Sequence, residues 1–251
     1  MGHLLRKKSV SKIENVWSRI VLFKNWYKLI FPFNRLFTGV QKLTLRNGKS
    51  AFVRDVRSMD TNIVRDVLSG FGEYSLEKWV HLPPEAVVFD LGGNIGTFSI
   101  EIYRLCPTAH ITAYEPHPDN CKMFMINAPF ASLVQKAATE KTGTVHFENS
   151  ANFVGLQVIK EGGILVESMS LDDILKDVSN VDLLKIDIEG SEYDLLNHTS
   201  SATFNKIQRI IMETHDVLGF DDLAWAETIL ATHGFKTVWI DPSGVIYGWK
   251  S

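Results

Sequence analysis

Four short stretches carry residue types that could do chemistry together. In VVFDLGGNIGTFSI, residues 87–100, an apolar run stops at Asp90 and breaks into Gly92, Asn94 and Gly96 before a helical pattern begins. Glycines at such a turn let the backbone come close to itself and to a ligand. The dinucleotide fingerprint G-x-G-x-x-G would need glycine at 94 and 97, where Asn94 and Thr97 stand. An acid directly ahead of the turn suits a cationic or hydroxylated ligand rather than a phosphate. In AYEP, Glu115 closes the next apolar run, 23 residues after Gly92. A carboxylate at the end of the adjacent strand can accept both hydroxyls of a ribose. A ligand with a ribose, no bound phosphate and a positive centre points to S-adenosylmethionine.

In LLKIDIEGSEYDLL, Lys185, Asp187 and Glu189 alternate, so they share one side of a strand as it leaves the sheet. A lysine in a buried apolar strand is costly unless paired, and Asp187 is its nearest partner. A plain structural ion pair would explain the same residues. Glu189 and Glu192 can equally be read as ordinary loop acids. IIMETH places Glu213 and His215 at the same rim. If the methyl acceptor is a hydroxyl, a base must take its proton as the methyl moves. The candidates are His215, Asp187, Glu189 and Lys185, and spacing does not rank them. No metal is assigned, because no repeated ligand spacing supports one, although the acids could hold a divalent ion that acidifies a hydroxyl.

These residues need a parallel sheet to bring them to one edge. From Val87 onward apolar strands alternate with helices. Strands are predicted at 87–91, 110–115, 132–138, 181–188, 206–214, 235–241 and 245–249, with extra pieces at 143–149 and 163–169. Helices fit 96–106, 118–128, 191–199 and 221–233. This is an α/β chain with a Rossmann-like, mostly parallel seven-stranded sheet and helices on both faces. The closing VWIDPSGVIYGW predicts a C-terminal hairpin, hence an antiparallel strand at that edge. Upstream, Asn47-Gly48 between alternating runs predicts another hairpin, followed by helices near 60–69 and 75–82.

With 251 residues, 45% hydrophobic and 22% charged, the chain suits one core with an appendage. A net charge of −3 argues against a nucleic-acid binder. Charge is uneven, with ten Lys/Arg and one acid in residues 1–46. Residues 11–29 read as an amphipathic helix, although Lys24 falls on its apolar side. The expected division is a basic helical arm at 1–40 and a catalytic domain at 41–251, with the hairpin and helices up to about 84. The arm either packs on its own domain or makes weak contact with an anionic membrane or an acidic partner. No run of ~18 apolar residues and no clean signal core is present. Cys106 and Cys121 fit no metal spacing and read as reduced thiols, so a cytoplasmic protein, peripheral at a membrane in the second case, is expected.

VVFDLGGNIGTFSI, AYEPHPDN, LLKIDIEGSEYDLL and IIMETH, in that order, resemble the FkbM-type methyltransferases, a class I, Rossmann-like, S-adenosylmethionine-dependent family. LRNG…FGEYSLE resembles it too, so the likeness spans about residues 40–250. Gly93 departs from the small residue usual after the first glycine. The resemblance implies that Asp90, Gly92, Asn94, Gly96 and Glu115 bind the cofactor and that Lys185–Glu189 borders the acceptor. It also implies O-methylation, with a sugar or surface glycan as the expected acceptor and a polyketide or nitrogen acceptor as the alternative. Two other classes fit the fold: a nicotinamide-dependent oxidoreductase, disfavoured by the glycine pattern, and a non-catalytic binding protein that docks through the basic arm.

Overall fold

The computed structural model describes residues 12–30, 32–69, 76–148, 157–215, 222–241 and 244–250. The chain starts with α1 (Lys12–Leu22), two single 3-10 turns (Trp26–Leu29 and Phe33–Leu36), the hairpin β1 (Gln41–Thr44) and β2 (Ser50–Val53), then α2 (Asp60–Leu68) and α3 (Leu76–Trp79). The single helix expected over 11–29 stops at Leu22. Beyond it the backbone pairs with the hairpin, as Phe23 bridges Leu45 and Lys24 N donates to Thr44 O at 2.8 Å. Lys24, the misfit on the apolar stripe, thus lies outside the helix. The Asn47-Gly48 turn closes the hairpin, with Leu45 N donating to Lys49 O and Gly48 at φ +93°.

Next come β3 (Val87–Leu91), α4 (Thr97–Leu105), β4 (His110–Tyr114), α5 (Pro118–Asn127), β5 (Ser132–Val134), β6 (Ala137–Ala138), β7 (Gly143–Phe147), β8 (Val158–Ile159) and β9 (Ile164–Met169). The chain ends with α6 (Leu171–Ile174), β10 (Leu183–Ile186), α7 (Glu192–Asn197), α8 (Ser201–Lys206), β11 (Arg209–Glu213), α9 (Asp222–Thr232), β12 (Lys236–Asp241) and β13 (Val245–Trp249).

The main sheet has the order β5-β4-β3-β10-β11-β13-β12. All neighbours are parallel except β13, which is antiparallel to both β11 and β12. The antiparallel strand therefore lies one place in from the edge, because β12 folds outside it. The order reverses at β3, with β4 on one side and β10 on the other, and ligands of open α/β sheets bind at such a crevice. The single strand expected at 132–138 splits, with β5 staying in the main sheet and β6 opening a second sheet, β6-β9-β7-β8.

Apolar residues cover the main sheet on both faces. One cluster joins Leu184, Ile186 and Met212 to Leu195, Phe204 and Leu230. The other joins Val88, Leu183 and Ile211 to Phe98 and Ile102 of α4 and Leu76 of α3. A third holds Phe23, Leu29, Leu43, Leu45, Val64 and Leu68 and reaches Ile95 and Met123. Packing is thus continuous across residue 40. Residues 1–11 of the expected arm lie outside the described residues, as do 71–75 of the FGEYS segment.

Candidate active site

Two strand ends meet where the sheet order reverses. Asp90 and Lys185 are register partners on β3 and β10. Lys185 is 3% exposed and would be prohibitively costly unpaired. Its Nζ lies 3.3 Å from Asp90 Oδ1 and 3.2 Å from Asp187 Oδ2. It also donates to the carbonyl oxygen of Gly92 at 2.7 Å. Burial opposes its charge, but Asp187 and Asp90 more than restore it, so its pKa lies above the ordinary lysine value. Ser99 Oγ donates to the second oxygen of Asp90 at 2.8 Å.

The turn after β3 is held by backbone. The amides of Gly92 and Gly93 both donate to Tyr114 O, each at 2.9 Å. Gly92 has φ +81°, and a Cβ there would stand 1.7 Å from the carbonyl oxygen of Asp187. Only glycine fits. A Cβ at Gly93 would come within 3.0 Å of the Phe124 ring, so the smallest residue suits that position as well. Gly96, at φ +86°, starts α4. Asn94 takes the left-handed region at φ +47°, which Asn tolerates better than most residues. Its amide donates to Glu115 Oε2 at 2.9 Å. Among the described residues its buried side-chain Oδ1 finds no hydrogen-bond partner.

Glu115 is buried at the end of β4. Its Oε1 accepts from His117 N at 2.9 Å and Asn120 Nδ2 at 3.1 Å. Burial raises its pKa, and the hydrogen bonds from His117, Asn120 and Asn94 only partly oppose that. Three donors leave one of its ~four lone-pair directions for a ligand.

The rim of β10 and β11 centres on His215. Its Nδ1 lies 3.0 Å from Glu192 Oε1. Its Nε2 lies 3.3 Å from Glu189, 3.8 Å from Glu213 and 4.0 Å from Asp187. Burial alone would lower the pKa of His215, but the Glu192 hydrogen bond and the surrounding carboxylates push it up to about 10. His215 is therefore an imidazolium near neutrality. Glu192 is buried and also accepts from Ile188 N and Gly190 N, both at 2.9 Å. It ties the loop that carries Glu189, itself at φ +54°, to the histidine. A non-glycine residue held in that region stores strain, a feature concentrated at functional sites.

Gly92, Asn94, Glu115, Asn120, Asp187, Ile188 and Glu189 share one cleft of about 550 Å³, counted out to its open mouth. Ala137, Ala138, Phe147 and Val158 of the small sheet complete its apolar wall. Of the nine residues singled out from sequence, Gly92, Asn94, Glu115, Asp187 and Glu189 line the cleft. Asp90, Gly96, Lys185 and His215 do not, and stand behind it. Glu192, which sequence reading set aside as a loop acid, ties His215 to the Glu189 loop. Its only signal was its place at the end of E-G-S-E.

Asp187, Glu213 and His215 each offer a ligand atom, and these atoms lie within 4.8 Å of one another, a set that could hold a metal ion. For an organic ligand, the Asn94 Oδ1 that finds no partner among the described residues and the carboxylates of Glu115 and Asp187 fit a group with a ribose, an ammonium and a positive sulfur. A turn without the dinucleotide glycines fits it too.

The family model described as "Methyltransferase FkbM domain" matches residues 90–237. Methyltransferase 1 of Beauveria bassiana is 24% identical over 244 residues, covering 83% of this chain and 96% of its own. The 31-O-demethyl-FK506 methyltransferase FkbM of Streptomyces tacrolimicus is 27% identical, covering 65% and 77%. AMB antimetabolite synthetase AmbE of Pseudomonas aeruginosa is 28% identical over 62% of this chain, which spans only 10% of that protein. Among solved structures, a TehB-like S-adenosylmethionine-dependent methyltransferase from Corynebacterium glutamicum has a TM-score of 0.44 at 11% identity, covering 76% and 96%. CalO1, a methyltransferase in calicheamicin biosynthesis, scores 0.43 at 13% identity, covering 77% and 55%. The chain belongs to the FkbM methyltransferase family and is an S-adenosylmethionine-dependent methyltransferase.

Proposed function

We propose that the enzyme methylates a hydroxyl of a neutral, hydroxyl-rich acceptor, a saccharide or glycan. One observation carries this reading: Asp187 and Glu189 stand in the wall of the cleft that also holds Gly92, Asn94 and Glu115. A proton acceptor and hydrogen-bond acceptors for hydroxyls thus lie beside the donor site. The name of the Streptomyces relative places its own reaction on an oxygen. A wall of carboxylates also disfavours an anionic acceptor.

S-adenosylmethionine, when bound, supplies an electrophilic methyl on a positively charged sulfur. Glu115 has one lone-pair direction for a ribose hydroxyl, and Asn94 Oδ1 takes a second polar hydrogen. Glu189 takes the proton of the acceptor hydroxyl at its carboxylate. Asp187 accepts from a neighbouring hydroxyl and orients the acceptor. His215 is already protonated, so it holds Glu189 in place rather than acting as the base. Glu192 in turn positions His215 and the loop. Lys185 is charged and surrounded by acceptors, which leaves it no lone pair for a proton. Asp90 acts through Lys185, and Gly96 through the start of α4. The enzyme works in the cytoplasm, with its basic N-terminal region at the surface of an anionic membrane.

The test is incubation with methyl-labelled donor and a panel of neutral sugars, acidic sugars, polyketide alcohols and amines. Label on a hydroxyl of a neutral saccharide is expected. Transfer to amines alone would contradict the reading. A second reading rests on Asp187, Glu213 and His215: a divalent ion there would acidify the hydroxyl. Turnover lost to a chelator and restored by magnesium or manganese would favour it. Full turnover in chelator would exclude it.

A further inference from the structure

Residues 15–54 contain eight Lys/Arg and no Asp or Glu. Lys49 and Arg54 are used internally, against Glu101 and Asp60. Arg19 is half-buried and donates to Leu29 O. Lys24 and Lys42 are exposed, and Lys28 lies over the Phe37 ring and donates to Gln41. Among the described residues no carboxylate pairs with these three lysines.

The same segment exposes large apolar side chains. Six of the thirteen exposed large hydrophobics of the described chain fall between residues 17 and 40: Trp17, Val21, Tyr27, Phe33, Leu36 and Val40. Trp17 is 65% exposed and Leu36 76%. They are not inward residues left uncovered by poor packing. The inward side of these elements is already filled by Phe23, Leu29, Leu43 and Leu45, each at most 1% exposed. Trp17 and Val21 are one turn apart on α1, so they share its outer side. Helix α1 packs on the 26–29 turn, which packs on the 33–36 turn. The outward apolar groups and the lysines therefore lie on elements that pack on one another.

Exposed apolar side chains and lysines in one segment, with no acid in it, match an interface that is oily within and negative at its surface. From this we infer that the outer side of residues 17–46 is a docking surface for an anionic lipid bilayer, with Trp17, Phe33 and Leu36 entering the headgroup layer and Lys24, Lys28 and Lys42 meeting the lipid charge. The inference rests on the peripheral location proposed above and assigns it to a folded face. It is independent of which acceptor is methylated. An acidic protein would satisfy the lysines but leave the outward apolar residues without a specific role.

The test is sedimentation of the full chain with phosphatidylcholine vesicles, with and without phosphatidylserine, at low and high salt. A polyglutamate-binding arm runs beside it. Binding to the anionic vesicles, weakened by salt, is expected. The exposed double change Trp17→Ser/Leu36→Ser should weaken it at least tenfold. Each change of Lys24 or Lys42 to Gln should weaken it about fivefold. Melting temperature and donor affinity should stay unchanged in these variants, since no altered side chain touches the cleft. If wild type binds and the double variant binds equally, the peripheral location stands and this face does not carry it. If wild type ignores vesicles at low salt, both membrane readings fall and the methyltransferase reading is untouched. Capture by polyglutamate without vesicle binding would overturn the lipid partner in favour of an acidic protein.

Discussion

Between Gly92 and Gly96 the wall of the cleft is made of backbone, whereas between Lys185 and His215 it is made of charge. The turn is held by amides that donate to Tyr114 O and by a glycine packed on the Asp187 carbonyl. Its shape depends on which residues lack a Cβ. The rim holds one imidazolium and one ammonium among Asp90, Asp187, Glu189, Glu192 and Glu213. Its shape depends on which groups are ionised. Damage to the first should therefore appear as lost stability and donor binding at any pH. Damage to the second should appear as altered turnover and pH dependence.

The largest stability effect is expected from Gly92→Ala. The added methyl meets backbone, which cannot move aside, in a left-handed conformation. A loss of ~4 kcal/mol or more, or roughly 8–16 °C in melting temperature, should result. A melt close to wild type would show that the β3 and β10 ends can separate cheaply.

Asp90→Asn comes next. Asp90 is fully buried against Lys185, whereas the Asp187 side chain is 23% exposed. Because Lys185 keeps Asp90 and the carbonyls of Leu91 and Gly92 when Asp187 is changed, Asp187→Asn should cost only about 1 kcal/mol, against about 3 kcal/mol for Asp90→Asn. Denaturant titration of the pair measures the gap. Equal costs would mean that Lys185 leans on both carboxylates alike.

On the binding side, Glu115→Gln keeps the shape but removes the charge from hydrogen bonds worth roughly 1.5–3 kcal/mol, so donor affinity should fall about 10- to 100-fold. Calorimetry with the donor checks this, and unchanged affinity would remove Glu115 from the site.

A further prediction tests the charge of the rim. His215 has its folded pKa raised to about 10, above the ordinary ~6.5. Its protonated form therefore adds stability that is complete below pH ~6.5 and is lost as pH rises towards about 10. In chelator-treated protein, His215→Asn should flatten stability against pH over that window. An unchanged slope would place the charge elsewhere.

The backbone half of the site was legible in the sequence because its signal is local. Asp90, Gly92, Asn94 and Gly96 sit within seven residues, and the glycines state the conformation outright. Strand and helix alternation likewise gave the main sheet. The charged half depends on contacts between strands. The sequence offered Asp187 as the partner of Lys185, but the Asp90 contact appears only once β3 and β10 are in register. Glu192 looked like any loop acid until the chain brought His215 to it from 23 residues away. The division of residues 132–138 between two sheets was equally hidden, since apolar runs do not show where a strand changes partner.

The central claim is that the acidic rim moves the acceptor's proton while the glycine turn holds the donor. Glu189→Gln tests it most directly, because it removes one charge at the cleft wall and nothing from the core. Turnover, donor affinity and melting temperature should be measured on the same preparation. Turnover should fall about 10²- to 10⁴-fold with the other two unchanged. A variant with full turnover would contradict the claim and leave Asp187 or a metal-assisted route as the means of removing the proton.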